Sequence, residues 1–384
     1  MASPIHGLGV ALAAAAAIYA WVTLLAVLRR LPARRSPARG SHRPPVTVLK
    51  PLHGLEPRLY ENLRSFCLQA YPVYQLVFGV CGPEDPAIAV VDRLQTEFPQ
   101  RDMTLVVNPR MHGANPKVSN LINMLPVAEH DWLVLSDSDI SAPPDYLARV
   151  TAPLAVPAVG IVTCLYHGIV RSGFWSRLGR LFVDDWFIPS VRLAYMFNSD
   201  HFAFGATIAL RRDVLEAIGG FGPLRDTLAD DFWLGELTRR LGLRTVVSDL
   251  VVGTQVSHRR LSSLWTHELR WLRTTRAIAP LGFAMLWVCF TTPIALLGLI
   301  LAPGILTAGL VLLGLGARAL VHFKQRHLAR EWSPWWEVAL IPLRDVVLLV
   351  EWAAALTGWQ VEWKGRILDA RTPIATLDCR AGAK

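Results

Sequence analysis

The stretch Trp132-Leu-Val-Leu-Ser-Asp-Ser-Asp139 decides how the rest of this chain is read. Its four leading apolar residues have the length of a buried strand, and two carboxylates one residue apart follow at once. Upstream, Val46 to Leu49 is a second β-branched run that stops at Lys50-Pro51. Between them, strand-like Gln75–Val80 and Met103–Val107 alternate with helix-like Tyr60–Leu68, Pro86–Phe98 and Lys117–Leu125. Repeated βα units predict an α/β fold, a Rossmann-like, mostly parallel, doubly wound sheet with helices. Such sheets bind ligands outside the carboxyl ends of their strands, and Asp137 and Asp139 fall at such an end.

Composition adds a membrane. Of 384 residues, 52% are hydrophobic, and the mean hydropathy is +0.34, too apolar for an ordinary soluble enzyme. Leu8 to Leu28 carries no charge and matches the roughly 20 residues of a spanning helix. Arg29, Arg30, Arg34, Arg35, Arg39 and Arg43 follow it, which predicts an uncleaved anchor with a cytoplasmic C-terminal end. Ala277 to Phe323, broken at Pro303-Gly304, reads as two spans, Leu281–Leu301 and Ile305–Leu320, with Lys324, Arg326 and Arg330 beyond. Trp335 to Trp359 contains Arg344, Asp345 and Glu351 and reads as an interfacial or re-entrant helix, with Arg344 and Asp345 as a possible pair. The expected division is a 1–30 anchor, a 31–45 basic linker, a 46–276 cytoplasmic domain, a 277–323 hairpin and a 324–384 loop, helix and cytoplasmic tail. A formal charge of +9 then reflects positive-inside flanks, and nucleic acid is not an expected partner. Cys67, Cys81, Cys164, Cys289 and Cys379 stand singly, which speaks against a disulfide framework or a zinc site.

Four groups of residues suggest chemistry, each with a plainer reading beside it. Asp137 and Asp139 can hold one hard cation, Mg²⁺ or Mn²⁺, on a diphosphate, or can form an Asx-type turn. Asp230-Asp231, after Gly219-Gly220-Phe221-Gly222, suits a general base with a raised pKa or a helix cap. In His267-Glu-Leu-Arg-Trp271, Arg270 shares an i, i+3 face with Arg273 and Arg276 that could grip a diphosphate or simply flank a membrane helix. Glu84-Asp85 before Pro86 suits a nucleoside contact or a cap.

Together, in order, Asp85, Asp137, Asp231 and the His267–Trp271 run resemble the D, D, D, (Q/R)xxRW series of family 2-like, GT-A-fold inverting glycosyltransferases. The flanks Val48-Leu-Lys-Pro-Leu52, Asn115-Pro-Lys-Val-Ser-Asn-Leu121 and Val214–Gly220 narrow the likeness to the ceramide glucosyltransferase family. Within it, Asn115–Ile140 and Val361-Glu-Trp-Lys-Gly365 resemble the bacterial hopanoid-biosynthesis glycosyltransferases. The resemblance implies Asp231 as catalytic base and Asp137 and Asp139 as metal ligands. It implies donor contacts from Asp85, Asp137, Lys117, His267, Arg270 and Trp271. It implies transfer of N-acetylglucosamine or glucose from a UDP-sugar to a lipid hydroxyl, a hopanoid polyol first and ceramide second, at a bacterial cytoplasmic membrane. His267 departs from the Gln or Arg of the series. Asp139 is present where animal ceramide members often lack the second acid. A processive polysaccharide synthase and a haloacid-dehalogenase-like phosphohydrolase are the competing expectations. Oligomeric state is unassigned.

Overall fold

The computed structural model describes residues 4–29 and 43–372; most of the basic linker and Cys379 lie outside the described residues. In chain order the principal elements are α1 (Pro4–Leu28), β1 (Val46–Pro51), α2 (Leu59–Cys67), β2 (Tyr74–Val80), α3 (Ala87–Glu97), β3 (Asp102–Val107), α4 (Pro116–Met124) and β4 (Trp132–Leu135). There follow β5 (Ile140–Ser141), α5 (Tyr146–Thr151), β6 (Val159–Ile169), α6 (Phe174–Phe182), α7 (Ile188–Met196), β7 (Ile208–Arg211), α8 (Arg212–Ala217), α9 (Asp230–Arg240) and β8 (Arg244–Gln255). The chain ends in α10 (Leu261–Ile278), α11 (Pro280–Ala284), α12 (Thr291–Leu301), α13 (Ile305–Leu328), α14 (Leu340–Ala355), β9 (Gln360–Trp363) and β10 (Arg366–Asp369). Two compact units emerge, an α/β unit of residues 43–166 and 200–255 and a helical unit of residues 4–29, 167–199 and 256–371. The stretch 46–276, expected as one domain, thus contributes to both.

The sheet has eight strands in the order β3-β2-β1-β4-β7-β6-β8-β5. β3, β2, β1 and β4 are mutually parallel, whereas β7 runs antiparallel to β4 and to β6, and β5 antiparallel to β8. Alternation along the central strands fills both faces. Val46, Val48 and Val134 join one core with α2 and α3 residues such as Leu63 and Val91. Leu49, Leu133 and Leu135 join the other with Leu121 of α4 and Leu237 of α9. Burial on both faces is why these strands read as continuous apolar runs. The chain winds outward from β1 to β3 and returns to β4 on the other side of β1. The β1/β4 boundary is therefore the topological switch point, where such folds open a ligand crevice.

In the helical unit, α1 and α13 are each long and apolar enough to cross a membrane, by length and composition. Small residues let helices touch: a Cβ on Gly9 would lie 2.7 Å from the Cβ of Ala302, and one on Gly298 would lie 2.6 Å from the carbonyl of Gly9. Instead of one span over Leu281–Leu301, the chain forms α11, a 3₁₀ turn at Leu286–Cys289 and the 11-residue α12. The restart has a cause: the buried Asp345 carboxylate accepts from Thr292 N–H at 3.1 Å and from its hydroxyl at 2.8 Å, capping α12. Arg344 and Asp345 do not pair with each other, because adjacent helical residues face different ways. Arg344 pairs with Glu268 at 2.5 Å and Glu351 at 2.9 Å, and Asp345 with Arg318 at 2.8 Å. The 16-residue α14 that carries them is shorter than the roughly 20 residues a span requires.

Within Phe174–Phe197, Arg180, Asp184, Asp185 and Arg192 are buried. The segment comprises α6, a π-turn at Val183–Phe187 and α7, and these polar side chains face inward. Asp184 pairs with Arg326, and Asp185 with His322 at 2.7 Å. Val361–Gly365 belongs to the β9–β10 hairpin, whose turn residues Lys364 and Gly365 have φ of 50° and 74°, as a two-residue hairpin turn demands.

Candidate active site

Asp137 follows β4 directly, because Ser136 N–H still bonds to the Leu49 carbonyl of β1 at 3.2 Å and extends the ladder to the switch point. Asp137 and Asp139 then sit on the tight turn that leads into β5, closed by Ile140 N–H on the Asp137 carbonyl. Lys117 reaches Asp137 from the first turn of α4. A cation there opposes the helix dipole, so its position needs compensation. Its Nζ lies 2.8 Å from Asp137 Oδ1 and 3.3 Å from Asp230 Oδ2. Burial disfavours its ammonium, yet Asp137, Asp230 and Asp231 outweigh that and hold its pKa above the usual lysine range.

Asp230 and Asp231 open α9, but neither is its cap; the cap position is Ala229, without a side-chain bond. Asp231 Oδ1 accepts from Phe232 N–H at 2.8 Å and Oδ2 from Gly205 N–H at 2.9 Å. Burial first, then Asp230, pushes its carboxyl up to about 6, against Lys117 and the two N–H groups. A side chain with that proton affinity is anionic at neutral pH and still basic enough to take a proton.

Asp139 shows a second raised carboxyl, pushed up to about 6 by burial, Asp137 and Glu56, while Thr254 and Lys50 oppose the shift. Thr254 donates to Asp139 Oδ2 at 2.5 Å, and Ser138 donates to Glu56 Oε2 at 2.5 Å. Among the described residues, no three His, Cys, Asp or Glu side chains converge as a ready metal cage. Asp137 and Asp139 nonetheless fit a hard divalent cation: two carboxylate donors that repel one another, with room in its coordination for diphosphate and water oxygens.

Asp85, at the end of β2, uses both oxygens on the main chain. They accept from Gly54 N–H at 3.0 and 3.1 Å, and Oδ1 also accepts from Ala87 N–H at 2.9 Å. It caps α3 and pins the loop after β1. His267, Arg270 and Trp271 lie on α10 of the helical unit. The His267 ring packs on Trp271 at 4.7 Å and His258 at 5.2 Å. Burial, then Arg270 and His258, hold its imidazole well below the usual range, so it is neutral at physiological pH. Arg273 and Arg276, offered by spacing either as a diphosphate grip or as a membrane flank, have main-chain partners. Arg273 donates to the carbonyls of Gln360 and Thr357, and Arg276 to those of Ala355 and Gly358. Arg276 thus binds the last carbonyl of α14 and the segment after it, and Arg273 the segment between α14 and β9 and the first residue of β9.

Several participants escaped the sequence reading. Asn115 caps α4 by accepting from Val118 N–H at 3.1 Å and donates to the Thr227 carbonyl at 2.8 Å, which brings Lys117 and α9 together. Gly205 occupies the junction of the cluster: a Cβ there would lie 3.0 Å from Asp137 Oδ2 and from Lys117 Nζ. Asn115 stood in a quoted run, but only a fold places Gly205 or Thr254.

The solved mannosyltransferase of Pyrobaculum calidifontis, in complex with GDP-Man and Mn2+, superposes with a TM-score of 0.55 at 21% identity, covering 92% of this chain and 99% of its own. That likeness establishes the expected GT-A fold. Among curated proteins, ceramide glucosyltransferase 3 of Caenorhabditis elegans is 25% identical over 240 residues, 62% of this chain and 52% of the relative. A ceramide glucosyltransferase of Pyricularia oryzae is 35% identical over 112 residues, 25% of this chain and 23% of the relative. The chain spans about half the length of the first of these or less. The sequence model described as Glycosyl transferase family 21 matches residues 8–374. With nearly its whole length inside that match, the chain belongs to glycosyl transferase family 21.

Proposed function

We propose that this protein is a membrane-bound inverting glycosyltransferase that moves a hexose from a UDP-sugar to a lipid hydroxyl. The observation that carries the reading is the acid cluster at the switch point: Asp137, Asp230 and Asp231 gathered on Lys117, with Asp231 buried and oriented by two backbone N–H groups. Asp231 takes the proton of the acceptor hydroxyl. The oxygen bonds to the anomeric carbon as the bond to the diphosphate oxygen breaks, and UDP leaves from the opposite face. Lys117 offsets negative charge beside the donor, an electrostatic contribution that is preorganised. A divalent cation held by Asp137 and Asp139 would supply charge neutralisation on the departing diphosphate. Donor-side roles for Asp85, His267, Arg270 and Trp271 rest on the resemblance of the motif series alone.

The relatives' names favour glucose and ceramide as the first pair to test. The hopanoid polyol with N-acetylglucosamine rests on the Asn115–Ile140 and Val361–Gly365 likeness alone. α1 and α13 support membrane attachment, and the arginines after Leu28 support a cytoplasmic face of a bacterial inner membrane for the α/β unit. The test crosses UDP-glucose and UDP-N-acetylglucosamine with ceramide and a hopanoid polyol, with and without EDTA, on detergent-purified protein. Transfer to one lipid, lost in EDTA, is the expected result. A sugar polymer as product, or phosphate release from simple esters without transfer, sinks the reading.

A further inference from the structure

In sequence Lys50 marks the end of a strand and stands in the Val48–Leu52 flank. In the structure it is wholly buried, at the carboxyl end of β1 and beside the end of β4. Its Nζ donates to the main-chain carbonyl of Asp137 at 2.6 Å and to Ser136 Oγ at 3.3 Å. From the other side the ammonium stands 3.8 Å from the centre of the Phe66 ring, a contact that steadies a desolvated cation. Burial pushes its ammonium down to about 7, against the opposing pull of Asp139, Asp137 and Glu56. A lysine is costly to bury, and apolar residues of that size fill a strand end without that cost. What the ammonium does here is specific to place: it grips the peptide that carries the first carboxylate, in the turn between Asp137 and Asp139.

We propose that Lys50 is a positioning residue for the cation-and-diphosphate site, tying the Ser136–Asp137 turn to β1 so that the Asp137 and Asp139 carboxylates face one space. The inference rests on the donor-site reading above and extends it to a buried residue bonded to the turn's main chain and to Ser136. Without this tie the turn loses both hydrogen bonds at its base. The donor half of the reaction depends on that geometry; the acceptor half does not.

The test compares the parent with Lys50→Met and Lys50→Gln, the second keeping an N–H donor without the charge. Binding of Mn2+–UDP is followed by calorimetry, free Mn2+ by electron paramagnetic resonance, and thermal unfolding on the same samples. Both variants are expected to unfold within about 5 °C of the parent. Mn2+–UDP should bind at least tenfold more weakly, and the donor KM should rise while the acceptor KM stays within threefold, with Gln milder than Met. Unchanged Mn2+–UDP binding overturns the proposal, because Lys50 would then only fill space. Equal losses in donor and acceptor KM overturn it, because the damage would be general. Failure of both variants to fold overturns it too, by making Lys50 a requirement of the fold. A parent that binds neither Mn2+–UDP nor Mn2+–GDP and transfers no sugar instead refutes the donor-site reading itself.

Discussion

Replacing Asp231 by Asn isolates proton transfer from everything else the site does. The change preserves volume but converts one carboxylate oxygen into an amide donor. In the parent, Oδ1 serves Phe232 N–H at 2.8 Å and Oδ2 serves Gly205 N–H at 2.9 Å. Asn can satisfy only one of them, and an orphaned buried donor costs about 1–3 kcal/mol of stability. Loss of a general base costs about 100- to 10,000-fold in rate, or about 3–5 kcal/mol on the barrier at about 1.36 kcal/mol per decade. The two effects separate, since the first lowers the unfolding temperature and the second lowers kcat. The pH profile supplies the signature. Only ionised Asp231 accepts a proton, and its carboxyl is pushed up to about 6, by burial and Asp230. Log kcat should therefore rise with unit slope below pH 6 and level off above it. The measurement is transfer of radiolabelled glucose to a fluorescent ceramide in micelles, at saturating donor and saturating Mn2+, so that metal loss at Asp139 does not imitate the limb. In the Asn variant the acid limb should vanish along with most of kcat. An Asn variant within tenfold of the parent, or one that keeps the limb, removes Asp231 from the role of base.

Asp139→Asn should raise the Mn2+ concentration for half-maximal rate by about tenfold or more, comparable with the losses seen when metal ligation is disturbed. In the parent the same concentration should climb as pH falls below 6, since Asp139 takes up its proton near there and a protonated carboxyl is a poor ligand; a pH-independent requirement contradicts both statements. Gly205→Ala places a Cβ 3.0 Å from Asp137 Oδ2 and Lys117 Nζ and 3.6 Å from Asp231 Oδ2. Displacement of reacting groups by such a side chain costs on the order of 100-fold in rate, with little change in unfolding temperature; parent-like kinetics argue that nothing reacts in that space. Arg344→Met strands Glu268 and Glu351 in the interior of the helical unit and should lower stability by about 3–5 kcal/mol, as broken buried pairs do. Chemical unfolding in detergent reads it, with Glu268→Gln added to recover part of the loss, and an additive double variant denies the pairing.

The parallel strands were legible because short, mostly apolar runs flanked by helical spacing mark them, and in β1, β2 and β4 burial on both faces is the reason. The antiparallel β7 and β8 were not, since pairing direction is a property of neighbours rather than of a run. The same limit applied in the helical unit. Leu281–Leu301 has the hydropathy of a span, but the buried Asp345 that caps and restarts the helix lies 53 residues from Thr292. Arg273 and Arg276 shared a face with Arg270 by spacing, yet their partners just after the end of α14 decided what they do.

By itself the sequence determined the class of fold, the position of the Asp137–Asp139 turn at a strand end, and the two apolar helices of span length, α1 and α13. These follow from periodicity and charge read along the chain. Tertiary structure alone decided that Lys117 joins Asp137 to Asp230, that Gly205 orients Asp231 and that Lys50 lies beneath the turn. Each depends on groups brought within about 3 Å of one another from distant strands and helices. Proton affinity and ion pairing act over such distances, and sequence separation carries no measure of them.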